Sequence, residues 1–598
     1  MDHDSDGQSA IDVVGPSLPA DRSGWPVHPK ERRDFYSRIK VFPTEVAGWR
    51  KSLSQQILEN PKRFTIRSSA SPQQLLANLD HGISMLREVA RVLAVLYASG
   101  TSGKRQKTRN GLAFPVDAHI KRVMVRLSPY RGLGSELERL DLKRLRSVLP
   151  DLIPPNLRYS LHSNLISHGK SVCRNTRPRC GDCEIRNFCQ HFRQTESARV
   201  LEMEASSVLD LFAGAGGMSE GFVRSGFKVL GAVEWDEMAA RTYRLNHPGV
   251  PDERVIVDDI RKLPKGTLRR LVGRRTLDVL AGSPPCQGFS LAGFRSKKTH
   301  TGYRLDADER NYLFRYMVNA ALELRPRLFL MENVPGMQSA KRDNVSFLET
   351  AAKMLEKRGG YRTEVWRLNA AAFGVPQDRV RCFLVASRLP IIPARPSEEY
   401  QDIRRPDLEL EALPPVTLGE AVFDLPACSA GGGISVDCRE LPDVSRATHF
   451  RRYLTKFNIL RRSRLLYQHA VRYHNPRDLE LYSLLRPGQD SIHALEEHDR
   501  PDLMRYRRDV FDDKYARLRS DRPCKTIVAH LAKDGNGYIH PSQVRSLTLR
   551  EAARVQSFHD GYVFCGSPSD QWVQLGNAVP PLMAEVIARS FRRVLERS

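Results

Sequence analysis

Residues 206–236 read SSVLDLFAGAGGMSEGFVRSGFKVLGAVEWD. SSVLDLF is a short apolar run, the pattern of a strand buried on both faces. GMSEGFVRSG has a helical pattern, and KVLGAVEW reads as a second strand. Between the first strand and the helix lies a glycine-rich turn. Glycine there lets the backbone come close to a ligand.

The same texture continues outward. DEMAARTYRLNH reads as a helix, and VDDI places Asp258 and Asp259 where a third strand should end. LDVLAGS, PRLFLMENV and VRCFLVAS read as further strands. Strands alternating with helices imply an α/β fold around a parallel sheet. In such folds an acid at the end of the second strand can bind ribose hydroxyls. Glu234 holds that place, and Trp235 beside it offers a ring face to adenine. Asp258 or Asp259 could accept from the adenine amine. Nothing in the set demands a pyrophosphate, so it suits S-adenosylmethionine better than NAD.

AGSPPCQGFS, residues 281–290, follows the strand LDVLAGS. Two prolines stiffen the chain before Cys286, and a looser stretch follows it. MENVPG puts Glu332 at another strand end, and QDRVR brings Arg379 and Arg381 before the next. A thiolate, a carboxyl group and guanidinium groups at one sheet edge suit nucleophilic attack on a ring activated by protonation.

These segments resemble the DNA (cytosine-5)-methyltransferases. FAGAGG, VEWD, DDI, GSPPCQGFS, DERNYLF, ENVPG, QDRVR, RSLTLREAARVQSF and QLGNAVPP occur in family order over residues 206–598. The resemblance implies a Rossmann-like methyltransferase sheet with a separate target-recognition domain. It implies that Phe212, Gly214, Gly216, Glu234, Trp235, Asp259, Ile260, Pro284, Leu313 and Asn577 bind S-adenosylmethionine. Cys286 would attack C6 of a flipped-out cytosine, Glu332 would engage N3 and the amine, and Arg379 and Arg381 would orient the substrate. In this family the segment between QDRVR and RSLTLREAARVQ reads the DNA sequence.

That segment contains HFRRYLTKFNILRRSRLLYQHAVRYH. Mixed cations and rings contact phosphates and stack on bases; an amphipathic basic helix packed on its own domain is the equal alternative. Arg295, Lys297, Lys298 and Arg304, in the loop after Cys286, are placed to meet phosphates.

The chain has 598 residues and a formal net charge of +25, from 94 Lys and Arg against 69 Asp and Glu. That surplus suits a polyanionic partner, double-stranded DNA first. The N-terminal segment MDHDSDGQSAIDVVG is acidic and lacks an apolar core, so it is no signal peptide, and no run is long enough to span a bilayer. A cytoplasmic protein with no membrane partner is expected. In a reducing compartment the ten cysteines favour metal binding or catalysis over disulfides. Cys382, Cys428, Cys438, Cys524 and Cys565 show no metal spacing and read as packing residues.

Cys173, Cys180, Cys183 and Cys189 stand in SVCRNTRPRCGDCEIRNFC. Four thiols so close together read as a metal site, with zinc the default and iron–sulfur the rival. The gaps resemble the [4Fe–4S] loop of the endonuclease III family of DNA glycosylases. FPVDAHIKRVMVRLS is similar to that family's segment around its catalytic aspartate, which falls on Asp117. The family's glycine-rich hairpin is missing: SGTSGKRQKTRNG stands in its place, and Lys104 and Lys107 do not fit the lyase pattern. Asp117 is therefore expected to cap a helix rather than to catalyse.

The expected organisation is a disordered tail over 1–30, a mostly α-helical iron–sulfur domain over 31–198, a catalytic domain over 199–390, a target-recognition region over 391–540 and a return to the catalytic domain over 541–598. The expected activity is cytosine-5 methylation of DNA at a specific site, in restriction–modification or epigenetic marking. A cognate restriction endonuclease and a monomer on DNA accompany that reading. The alternatives are a tRNA methyltransferase, a bifunctional methyltransferase and mismatch glycosylase, and a non-catalytic DNA-binding protein.

Overall fold

The computed structural model describes residues 115–127, 158–180, 185–202, 205–285, 309–342, 345–404, 412–428, 451–460, 465–489, 491–503, 515–533 and 535–598, with a few further positions. Cys286, the basic loop after it and most of residues 31–114 of the expected helical domain lie outside the described residues. The chain divides into two compact units, residues 1–120 with 141–168 and residues 121–140 with 169–598. The cysteine loop thus groups with the larger unit.

In the smaller unit the Asp117 carboxylate accepts the Ile120 amide at 2.8 Å. Asp117 caps the start of helix Ala118–Leu127, as a short acid before a helix should. Arg158 Nε donates to the Ile153 carbonyl at 3.0 Å, and His162 Nδ1 lies 2.8 Å from the Pro115 carbonyl.

The larger unit is built on a seven-stranded sheet. Its strands are β1 (Ser207–Leu211), β2 (Lys228–Glu234), β3 (Val255–Val257), β4 (Val279–Gly282), β5 (Leu328–Asn333), β6 (Arg362–Asn369) and β7 (Val380–Ser387). Their spatial order is β3-β2-β1-β4-β5-β7-β6. β1 to β5 pair in parallel, whereas β7 is antiparallel to both of its neighbours. The expected parallel sheet thus carries one antiparallel strand. Only residues 370–379 separate β6 from β7, too few for a crossover helix, so the chain turns back on itself.

Every residue of β1, β2, β4 and β5 is buried, because helices cover both faces. On one face Val208, Ala232, Val279 and Leu328 pack with helices Gly217–Arg224, Glu237–Asn246 and Pro581–Leu595. On the other, Leu209, Leu211, Leu280, Phe329 and Met331 pack with helices Thr267–Val272, Phe314–Leu324 and Phe347–Gly359. Alternate residues of each strand serve opposite layers, which is why these strands read as continuous apolar runs.

The C-terminal helices complete the first layer. Arg224 Nε pairs with Glu585 at 2.7 Å, and Thr242 Oγ1 donates to Gln574 at 2.6 Å. A third core joins Leu481, Tyr482, Leu485, Ala494, Leu495, Leu503, Tyr515 and Ile539. It gives the middle of the expected recognition region a nucleus of its own. Tyr453, Leu454, Phe457 and Ile459 of the Arg-rich stretch are instead buried in the first layer, so those side chains pack rather than face solvent. Cys382, Cys428 and Cys524 are buried, and Cys565 is half-buried.

Candidate active site

The strand order reverses between β1 and β4, and the crevice of an open α/β sheet forms at the carboxyl ends of such a pair. The glycine-rich turn follows β1, and Pro284 follows β4. Phe212 and Gly214 both adopt φ +56°, and Gly216 adopts φ +93°. A Cβ on Gly214 would meet no atom within 4 Å, so the turn leaves an open cradle there. A Cβ on Gly216 would collide with the His247 ring, and one on Gly217 with the Val579 carbonyl. The segment after Asn577 therefore lies directly against the start of helix Gly217–Arg224. Asn577 itself ends helix Pro568–Asn577 and is exposed.

Glu234 closes the other side of the turn. Its carboxylate accepts the amides of Gly214 at 2.7 Å, Trp235 at 3.0 Å and Asp236 at 2.9 Å. Burial raises its pKa above the ordinary carboxylate value, while the three amides pull the other way. A carboxylate offers about four acceptor sites, so roughly one is left for a ligand hydroxyl. Trp235 is 73% exposed, an uncovered ring beside the buried Glu234. Asp259 directs its carboxylate to Arg261 Nη2 at 2.6 Å, and this hydrogen bond lowers its pKa. Ile260 and Leu313 are half-buried and Pro284 is buried. The donor set fits an adenine nucleoside with an aliphatic tail: one acid, one free ring, an open glycine turn and apolar walls.

A connected polar group beneath the turn was not expected from the sequence. Ser219 Oγ lies 2.6 Å from Asp210 and 2.7 Å from the Tyr243 hydroxyl. Burial pushes the Asp210 carboxyl up to about 7, and its second oxygen has no partner among the described residues. The available signal was an acid inside the apolar strand SVLDL. Asn333 was also missed. Its Nδ2 donates to the Pro284 carbonyl at 3.2 Å, so the end of β5 steadies the segment that leads to Cys286.

Glu332 and Arg381 come together. The Glu332 Oε1 to Arg381 Nε distance is 3.0 Å, with both side chains nearly enclosed. Arg379 does not join them. Its guanidinium is buried and donates to the carbonyls of Ile527 at 2.8 Å, Gly576 at 3.2 Å and Ala578 at 3.0 Å. Residues two apart on a strand would share a face, but Arg379 precedes β7 and is drawn into the packing of the C-terminal segments.

Around the cysteine loop, Arg126 is the central residue. Its Nη1 donates to Cys173 Sγ at 3.3 Å, and Cys189 Sγ donates to the Arg126 carbonyl at 3.4 Å. Burial raises the pKa values of Cys180, Cys183 and Cys189. Among the described residues no group of three or more His, Cys, Asp or Glu side chains is arranged to hold a metal ion. The expectation of a bound metal at Cys173, Cys180, Cys183 and Cys189 therefore gains no support from the geometry. Arg193 of the following helix reaches the Arg244 carbonyl and Asp252, tying the loop to the sheet's outer helices.

The model of the C-5 cytosine-specific DNA methylase family matches residues 206–593. The chain belongs to that family. The match starts at β1 and leaves the cysteine loop outside, so the endonuclease III-like resemblance of residues 112–190 has no family match behind it. Type II methyltransferase M.DdeI of Desulfomicrobium norvegicum is 34% identical over 393 residues, 64% of this chain and 87% of that protein. Type II methyltransferase M1.HphI of Haemophilus parahaemolyticus is 33% identical over 390 residues, 64% of this chain and 86% of that one. The crystal structure of a prophage-encoded E. coli protein described as a DNA modification methyltransferase is 25% identical, covers 66% of this chain and all of that one, and gives a TM-score of 0.48. This family member is a DNA cytosine methyltransferase. No helix among its described residues is long and apolar enough to cross a membrane.

Proposed function

We propose that the protein methylates C5 of a cytosine within a specific duplex DNA sequence, with the cytosine flipped out of the stack. The observation that carries this reading is the enclosed Glu332–Arg381 pair, 3.0 Å apart, on the sheet edge where the chain leading to Cys286 emerges. The methyl group is supplied by S-adenosylmethionine, held by Phe212, Gly214, Gly216, Glu234, Trp235, Asp259, Ile260, Pro284, Leu313 and Asn577.

The Cys286 thiolate forms a bond to C6, and the ring electrons move toward N3. The Glu332 carboxyl gives N3 a proton, which N3 returns when the ring is restored, and accepts from the exocyclic amine, so the ring can take those electrons. C5 becomes nucleophilic and takes the methyl group as that group's bond to the sulfonium sulfur breaks, leaving the neutral thioether. A base removes the C5 proton, the C5–C6 double bond re-forms, and the C6–S bond breaks to release the thiolate. Arg381 orients Glu332 and balances its charge. Asn333 fixes the Pro284 carbonyl, two residues before Cys286 in the chain.

Residues 391–540 are proposed to read the target, with the protein acting as a monomer on DNA beside a cognate restriction endonuclease. A duplex carrying 5-fluorocytosine at the target tests the chemistry, because fluorine cannot leave as a proton and the adduct persists. A denaturation-stable protein–DNA band, lost in Cys286→Ala, is expected. Turnover by Cys286→Ala would end the reading.

For the cysteine loop we propose a [4Fe–4S] cluster rather than zinc. The support is the spacing of Cys173, Cys180, Cys183 and Cys189 and the way Arg126 touches both the first and the last of them. Iron and acid-labile sulfide in the purified protein, with the matching visible absorption, are expected; zinc alone would refute it.

A further inference from the structure

A cavity of about 640 Å³ opens between helices Phe314–Leu324 and Phe347–Gly359, on the face of the sheet away from the C-terminal helices. Nothing in the methyl-transfer site uses it. Its floor is aromatic and closed: Phe314 and Phe347 are buried and meet edge to face at 6.2 Å, and Tyr312 meets Phe347 at 5.6 Å. Its rim is cationic, with Arg315, Lys353, Lys357 and Arg358. Lys353 is matched by Glu349 at 2.7 Å. Arg315 lies over the Tyr312 ring, 4.9 Å from its centre. No carboxylate among the described residues pairs with Arg315, Lys357 or Arg358, and all three are exposed.

We propose that this groove is a second DNA contact, holding the phosphate backbone of duplex outside the target site. Three exposed cations at one groove mouth attract a polyanion. The charged groups of the lining are all on the rim, the floor rings pack against one another, and Thr350 Oγ1 donates to the Ser346 carbonyl at 2.9 Å. The contact is therefore independent of sequence. Tyr312 is the chain neighbour of Leu313, so the groove begins at the carboxyl edge of the sheet, where a bound duplex would continue. The proposal rests on the reading that the substrate is duplex DNA.

The test uses the full chain and a triple variant, Arg315→Gln, Lys357→Gln and Arg358→Gln. Affinity is measured against salt for a duplex just long enough to cover the active site and for one extended by several helical turns. Each phosphate contact contributes about 0.9 to the slope of log affinity against log salt. For the long duplex the slope should fall by about 2–3 in the variant, and for the short duplex it should not change. Equal slopes for wild type and variant on the long duplex would overturn the proposal, as would an equal loss on both lengths. The single exposed change Lys357→Glu, which alters no packed atom, should move the long-duplex slope in the same direction. Plasmid methylation by the wild type is measured alongside. Its absence would count against duplex DNA as substrate, whereas the salt slopes judge the groove alone.

Discussion

Glu332 and Arg381 are joined by an ion pair across two antiparallel strands. Phe383 is the register partner of Glu332, and Arg381, two residues earlier, shares its face. The guanidinium is thus carried to the carboxylate by backbone register rather than by a mobile loop. A pair fixed this way needs no reorganisation as charge develops on the ring. Arg381→Ala should lower kcat by about 10²–10³, the usual cost of removing one preorganised group, with little change in duplex affinity. Single-turnover methyl transfer at saturating DNA checks it; a kcat within about threefold of wild type would remove Arg381 from the reaction, since the loss of one such group costs far more.

Arg379 should behave in the opposite way. Its guanidinium ties Ile527, Gly576 and Ala578 together from a fully packed site. Arg379→Ala strips three buried carbonyls of their donor, at about 1–3 kcal/mol each where water cannot enter. A clear drop in Tm is expected, with the residual folded enzyme keeping its turnover per molecule. A normal Tm with lost turnover would return Arg379 to the catalytic group.

Trp235 is the exposed ring beside a buried acid. Trp235→Ala should raise the KM for S-adenosylmethionine about tenfold, toward the lower end of what one stacked ring contributes, and leave kcat nearly unchanged. Trp235→Phe should recover most of the loss. A KM indifferent to both changes would mean that the ring does not stack on the adenine.

Asp210 links the cofactor turn to pH. Its folded pKa of about 7 lies above its unfolded value of about 3.9. The folded state therefore binds the extra proton, and stability falls as pH rises between about 4 and 7. Asp210→Asn keeps an acceptor for Ser219 but cannot ionise. Denaturant melts at the two ends of that window should show wild type losing stability toward neutral pH, by up to about 1.4 kcal/mol per pH unit, and the variant losing less. Parallel curves would show that Asp210 does not titrate there.

Glu551 carries the reverse dependence. Burial opposes its charge, but two hydrogen bonds from Arg545, at 2.7 and 2.8 Å, bring its pKa down to about 2. Stability from this pair is complete above its unfolded pKa of about 4.3 and is lost as pH falls toward 2. Glu551→Gln leaves Arg545 buried without its partner and should cost about 3–5 kcal/mol. A shift in Tm no larger than that of a surface substitution would contradict this.

Much of the catalytic half was legible because buried strands announce themselves. SVLDL, KVLGAVE and LFLMEN are apolar on both faces apart from Asp210, and the other acids and prolines that interrupt the pattern fall at strand ends. The direction of β7 was not legible, since VRCFLVAS is equally apolar whichever way it runs; the short link from β6 decides it. Nor could the sequence separate Arg379 from Arg381, two guanidiniums two residues apart. Packing against residues 527 and 576–578, far along the chain, assigns them different work. The Asp210–Ser219–Tyr243 contact likewise joins three elements that sequence spacing does not connect. The four cysteines show the limit from the other side: their spacing is distinctive, but spacing alone does not choose between zinc and an iron–sulfur cluster.

The most direct test of the central claim is base-resolution methylation sequencing of DNA from a methylation-free host expressing this protein, beside the same host expressing Cys286→Ala. 5-Methylcytosine at one short motif is expected with wild type and none with the variant. Unmodified DNA with an active, folded wild-type protein, or methylation that survives in Cys286→Ala, would contradict it.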